Sequence, residues 1–290
     1  MGSFFTRFKR DGQAVAAPAP PEVRLELSGP VLSDTLTNLL NACEEDGGIE
    51  RYVEAVKFKI SLFQDAFKDG GNGLSAENFL KLCMFMPTVR RRIGDYVEPD
   101  TYPDLLAAMK TLFGSGDINA RITAFQNRFP KDKKHRWTHD LATEILHNTD
   151  PELHPLMQRW VWDRKANSGV IREIWHGNVD DVTLDVADDY ETFLKLREEL
   201  SGYLSENGIY ADVLVYVDLL CAQIYAGYIA AQGGLYLKAD FSANQDPFVF
   251  TRRLLGLDGV AAKSSLDIPP PVIEGEAKSV QSILRLNGRP

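Results

Sequence analysis

Residues 135–147 read HRWTHDLATEILH, and all five histidines and four tryptophans of the chain lie between His135 and His176. From Thr138 to His147 the apolar spacing is helical, with Trp137, Leu141 and Ile145 at i, i+4, i+8. On another face Asp140, Glu144 and His147 stand at i, i+4, i+7 and point in one direction. Glu144 and His147 form an E-x-x-H, and Glu173 and His176 form a second. Such a pair sets a carboxylate oxygen and an imidazole nitrogen one turn apart, the donor types that suit iron, manganese or zinc.

Paired E-x-x-H motifs resemble those of the ferritin-like di-metal bundles, which add two glutamates from further long helices. The helices here read as short. His139-Asp140 resembles the His-Asp pair of the HD metallophosphohydrolases, yet no histidine precedes His135. Neither likeness names a family. What the likenesses imply is an expectation of a divalent-metal site at Asp140, Glu144, His147, Glu173 and His176, serving a di-metal oxidoreductase or hydrolase.

The same segment has plainer readings. His154 precedes Pro155 and can cap a helix, and Glu or His on a helical face need bind nothing. Trp160 and Trp162 diverge by about 200° if helical, so only one of them can face a given core. With Arg159 and Arg164 they have the composition of a protein-interface hot spot. Base stacking is the other use of such residues, but the net charge of −9 opposes nucleic acid as a partner. The basic runs Arg90–Arg92 and KDKKHR (131–136) read as solvated faces.

The elements that must position these residues are helices. Stripes at Leu32–Cys43, Tyr52–Phe67, Tyr190–Leu204 and Val213–Tyr228 have helical period. Ser75 caps a helix ending before Pro87, shorter helices are expected over 88–97, 101–113 and 117–129, and Asp246-Pro247 opens one reaching Leu257. FKDGGNGLSAENF (67–79) mimics a calcium loop, but Lys68, Gly70 and Phe79 occupy ligand positions, so it reads as a turn. Only 182–186 and 235–241 look like strands. Asp188-Asp189 reads as a helix cap. The fold expected is all-α, one compact multi-helix domain of roughly ten helices over 31–257.

Composition agrees with that class, at 44% hydrophobic and 25% charged residues. The apolar run 213–231 is long enough to span a bilayer, but a central Asp218 costs ~3 kcal/mol there, and a buried helix is expected instead. Cys43, Cys83 and Cys221 lack any paired spacing and sit in apolar stripes, pointing to buried thiols and the cytoplasm.

The ends read as flexible. Residues 1–30 join an aromatic-basic FFTRFKR, suited to peripheral membrane contact, to a Pro/Ala-rich linker. The start also matches the myristoylation pattern through Gly2 and Thr6. Residues 258–290 carry a Pro-rich spacer and a short amphipathic segment with Val280, Ile283, Leu284 and Leu286. The function this layout favours is a non-enzymatic adaptor, chaperone-like or assembly subunit whose partners are other protein subunits, with the metal-dependent enzyme as the alternative.

Overall fold

Apolar stripes of helical period dominate the sequence, and helices are what they form. The computed structural model describes residues 24–44, 47–177, 182–236 and 248–258. Ten α-helices run through them: α1 (Gly29–Glu44), α2 (Glu50–Phe67), α3 (Ala76–Cys83), α4 (Tyr102–Lys110), α5 (Ile118–Gln126), α6 (Trp137–Thr149), α7 (Val170–Glu173), α8 (Tyr190–Glu206), α9 (Val213–Tyr236) and α10 (Phe248–Leu254). Short 3-10 turns at Ile93–Tyr96, Thr111–Phe113 and Lys133–His135 link them. The protein is all-α, with no strand among the described residues beyond two isolated bridges.

Local chemistry fixes the starts. Ser75 accepts from the Asn78 N–H, Asp117 from that of Ala120, and Asp189 from that of Thr192, each satisfying a donor the helix leaves open. Gly47 and Gly48 follow α1 with positive φ, as glycine-terminated helices do. The calcium-loop mimic is a turn between α2 and α3, built on positive φ at Gly70, Gly71 and Gly73.

Three expectations need correction. No helix spans 88–97: turns with mixed i→i+3 and i→i+4 hydrogen bonds lead into the 3-10 turn at Ile93–Tyr96. The segment 182–186 is extended but pairs with no strand. Side chains satisfy it instead: Asn167 Nδ2 and Arg172 Nη1 donate to the Val182 carbonyl, the Leu184 N–H donates to Asn167 Oδ1, and Trp162 Nε1 donates to the Val186 carbonyl. Leu235 and Tyr236 end α9, and the rest of 235–241 lies outside the described residues. Ser28 donates to the Ile174 carbonyl at 2.7 Å and His176 to that of Glu26 at 2.6 Å, tying 26–28 to the chain after α7.

Two hydrophobic clusters make the core. The larger joins α2, α3, α4, α5, α6 and α8 through residues such as Phe63, Phe79, Leu105, Phe125, Leu141 and Leu200. The smaller gathers Leu39, Tyr52, Val56, Leu219, Phe248 and Leu257 between α1, α2, α9 and α10. Tyr52 and Phe248 meet edge to face at 4.6 Å. Helix α9 packs on α1, α2, α7, α8 and α10. By length and composition its span Val213–Gln232 is apolar enough to cross a membrane, and 56% of that window is buried within the fold.

The candidate polar centre on helix α6

Every residue of α6 from Asp140 to Asn148 is buried, polar ones included. Asp140, Glu144 and His147 are 2–4% exposed. A buried charge is tolerated only with a partner, and each of the three takes one from a different part of the chain. Asp140 receives a forked pair from Arg159, Nε to Oδ1 at 3.1 Å and Nη2 to Oδ2 at 2.7 Å. Glu144 Oε2 accepts from Lys59 Nζ of α2 at 2.9 Å and from Asn148 Nδ2 at 2.8 Å. His147 Nε2 lies 2.8 Å from Asp218 Oδ2 of α9, and its Nδ1 lies 2.9 Å from the His154 carbonyl.

Both partners of His147 are acceptors only, so both ring nitrogens must carry hydrogen for both bonds to form. Burial alone would lower its pKa. The Asp218 charge and hydrogen bond, the His154 carbonyl and the Glu144 charge outweigh burial and raise it above 6.5. His154, beside it, goes the other way: burial first, then the Arg121 charge, bring it down to about 4.

The frame continues outward. Lys59 also donates to the Leu255 carbonyl at 3.1 Å, joining α2, α6 and the turn after α10. That turn depends on Gly256, whose φ is +73° and whose Cβ position is filled by the Phe85 backbone. Arg136 pairs with Asp163 at 2.6 Å, and Asp163 bridges to Ser168. Gly169 (φ +128°) lets Val170 and Ile171 hydrogen-bond to the carbonyls of Trp160 and Val161, because a side chain there would overlap Val161.

The residues expected as metal ligands thus separate into two groups. Asp140, Glu144 and His147 do share one face of α6. Glu173 is the last residue of α7, and His176 is exposed beyond the helix end, so the second E-x-x-H is not a helical pair. Among the described residues no three of His, Cys, Asp and Glu are grouped to hold a metal ion. The expected partner-binding residues divide as well. Trp162 is 1% exposed, and its indole N–H holds the Val186 carbonyl, so it belongs to the core. Trp160 is half-buried between the two core clusters and stacks on Tyr225 at 6.1 Å. Arg164 is exposed and pairs with Asp185 at 2.7 Å. Val280, Ile283, Leu284 and Leu286 lie outside the described residues.

Lys59 and Asp218 were missing from the expected site, although the sequence marks both. Lys59 stands three residues after Val56 and four before Phe63, inside the apolar stripe of α2. Asp218 interrupts the most apolar run of the chain. Searches against protein-family models, curated proteins and solved structures find no match to this chain, so its reading rests on these residues alone.

Proposed function

We propose that this chain is a non-enzymatic protein–protein interaction component, an adaptor, chaperone-like or assembly subunit. It docks through the surface around Trp160 and Arg164 and through its terminal segments, with other protein subunits as partners. The reducing cytoplasm goes with this reading, since Cys43, Cys83 and Cys221 are all buried free thiols. The supporting observation is the pairing of the α6 polar face. Acid–base or metal chemistry needs a group free to take a proton or a ligand. Here Asp140, Glu144 and His147 are each met by a fixed counter-charge, Arg159, Lys59 or Asp218. The Asp140–Arg159 pair, with Arg136–Asp163, braces the segment that carries Trp160 and Arg164.

The experiment is crosslinking of the full-length chain in its own cells, followed by identification of what it holds. One or a few proteins should be recovered in near-stoichiometric amount. Recovery should fall about tenfold in Trp160→Ala with Arg164→Glu, which stays folded with a melting temperature only several degrees lower, or in Ile283→Asp with Leu284→Asp, whose melting temperature stays close to that of the parent. A chain that crosslinks to nothing, or whose partners are indifferent to both double substitutions, overturns the proposal.

A further inference from the structure

The two basic runs of the sequence, far apart along the chain, face one cavity of about 420 Å³. Arg91 and Arg92 line it from one run, and Lys133, Lys134 and Arg136 from the other. Arg159 adds a guanidinium from the loop after α6, and Arg253 adds one from α10. Arg91, Arg92, Lys133 and Lys134 are exposed. None of these four has an ion pair among the described residues. Glu144 is the acid on the wall, and Lys59 already neutralises it at 2.9 Å. Arg136, Arg159 and Arg253 are paired with Asp163, Asp140 and Asp258, so four of the seven cations stand uncompensated in one concavity of a chain of net charge −9.

Two further features make the cavity a site rather than a solvated patch. Arg136 and Arg159 are fixed in place by Asp163 and Asp140, so their heads are held rather than mobile. Gln158, 3% exposed, also lines the cavity and makes no side-chain hydrogen bond among the described residues, leaving an amide donor and acceptor for a ligand.

We infer that this cavity binds a compact polyanion carrying two or more adjacent phosphate groups. Guanidinium and lysine ammonium groups arriving from four parts of the chain match several closely spaced phosphate oxygens better than one monoanion. The volume is that of a small-molecule pocket. A long nucleic acid would leave the cavity for a surface whose overall charge repels it. The cavity borders the docking surface proposed above, since Trp160 forms part of its wall, but the inference rests on the basic lining and is tested by other residues and its own probe.

The test is titration calorimetry at low ionic strength on the full chain, with tripolyphosphate as the probe. Orthophosphate, a nucleoside triphosphate, an Asp/Glu-rich peptide and an oligothymidylate are run beside it. Tripolyphosphate should bind once per chain, about tenfold or more tighter than orthophosphate. The double reversal Arg92→Glu with Lys134→Glu, both exposed positions, should weaken it by about tenfold or more with the melting temperature preserved. Lys110→Glu, on α4 away from the cavity, should change nothing. A nucleoside triphosphate binding tighter than tripolyphosphate supports the site and adds a base to its ligand. Absence of binding heat, affinity unchanged in the double reversal, or binding confined to the acidic peptide or to the oligothymidylate overturns the inference.

Discussion

His147 of α6 and Asp218 of α9 meet at 2.8 Å, both buried, with the His154 carbonyl closing the other side of the imidazole. Together with Lys59–Glu144 and Arg159–Asp140 they make three ion pairs along one face of a single helix. Each pair reaches a different element, so the face works as a set of cross-braces. Buried pairs contribute little net stability relative to apolar packing, but removing one partner strands a charge. Registering α2, α9 and the 159 loop against α6 is the role this geometry serves.

The Lys59–Glu144 pair gives the first prediction. Lys59→Met should lower unfolding free energy by about 3–5 kcal/mol, because it leaves Glu144 charged and buried. Lys59→Met with Glu144→Leu should regain most of that loss, since two apolar side chains need no counter-charge. Denaturant titration of the parent, both single variants and the double variant measures the coupling. Additive losses would show that the two residues act separately.

The histidines give the second. His147 has a folded pKa raised above its unfolded 6.5, so the stability from its pair is fully present below about 6.5 and is lost as pH rises through the raised value. His154 has a folded pKa lowered to about 4, so the unfolded chain takes up a proton first, and stability falls as pH drops from about 6.5 toward 4. Stability against pH should therefore peak near 6.5. His154→Gln should flatten the acid limb relative to the parent, and His147→Gln the alkaline limb. Parallel curves for parent and variants would contradict both assignments.

Gly256 gives the third. Gly208→Ala meets open space at φ +85° and should lose only the ordinary ~1 kcal/mol of an alanine in left-handed backbone. Gly256→Ala has a similar φ but drives its methyl into the Phe85 backbone, moving the Leu255 carbonyl away from Lys59. It should lose clearly more than Gly208→Ala in the same denaturant titration. Equal losses would mean that the turn after α10 yields without strain.

How much of this could be read from the sequence depends on range. Helical periods and caps are local, so α1, α2, α6, α8 and α9, and the Ser75 and Asp189 caps, were legible with small boundary shifts. The shared face of Asp140, Glu144 and His147 was legible for the same reason. What faces them was not, because Lys59, Arg159 and Asp218 arrive by tertiary packing. A carboxylate on a helix face looks the same in sequence whether a metal or a lysine meets it. The segment 182–186 was misread because extended backbone can be satisfied by side chains as well as by a partner strand. The two basic runs looked like separate solvated faces because only the fold brings them to one cavity.

The last prediction separates the two neighbouring tryptophans. Trp162 is 1% exposed, packs in the larger core cluster and donates to the Val186 carbonyl. Trp162→Ala removes a large buried volume and orphans that carbonyl, and should lower stability by about 3–5 kcal/mol. Trp160 is half-buried and leans on Tyr225. Its removal gives up one stacking contact and part of a wall, so Trp160→Ala should lose about 1–2 kcal/mol, near the value of an aromatic pair. If Trp160 is the half-buried anchor of the docking surface, its alanine variant keeps the fold yet loses partner recovery, whereas Trp162→Phe, which preserves most of the packing, keeps both. Comparing melting temperature with crosslinked yield for these variants tests the assignment. A Trp160→Ala variant that unfolds as readily as Trp162→Ala would make both tryptophans core residues and remove Trp160 from the docking surface.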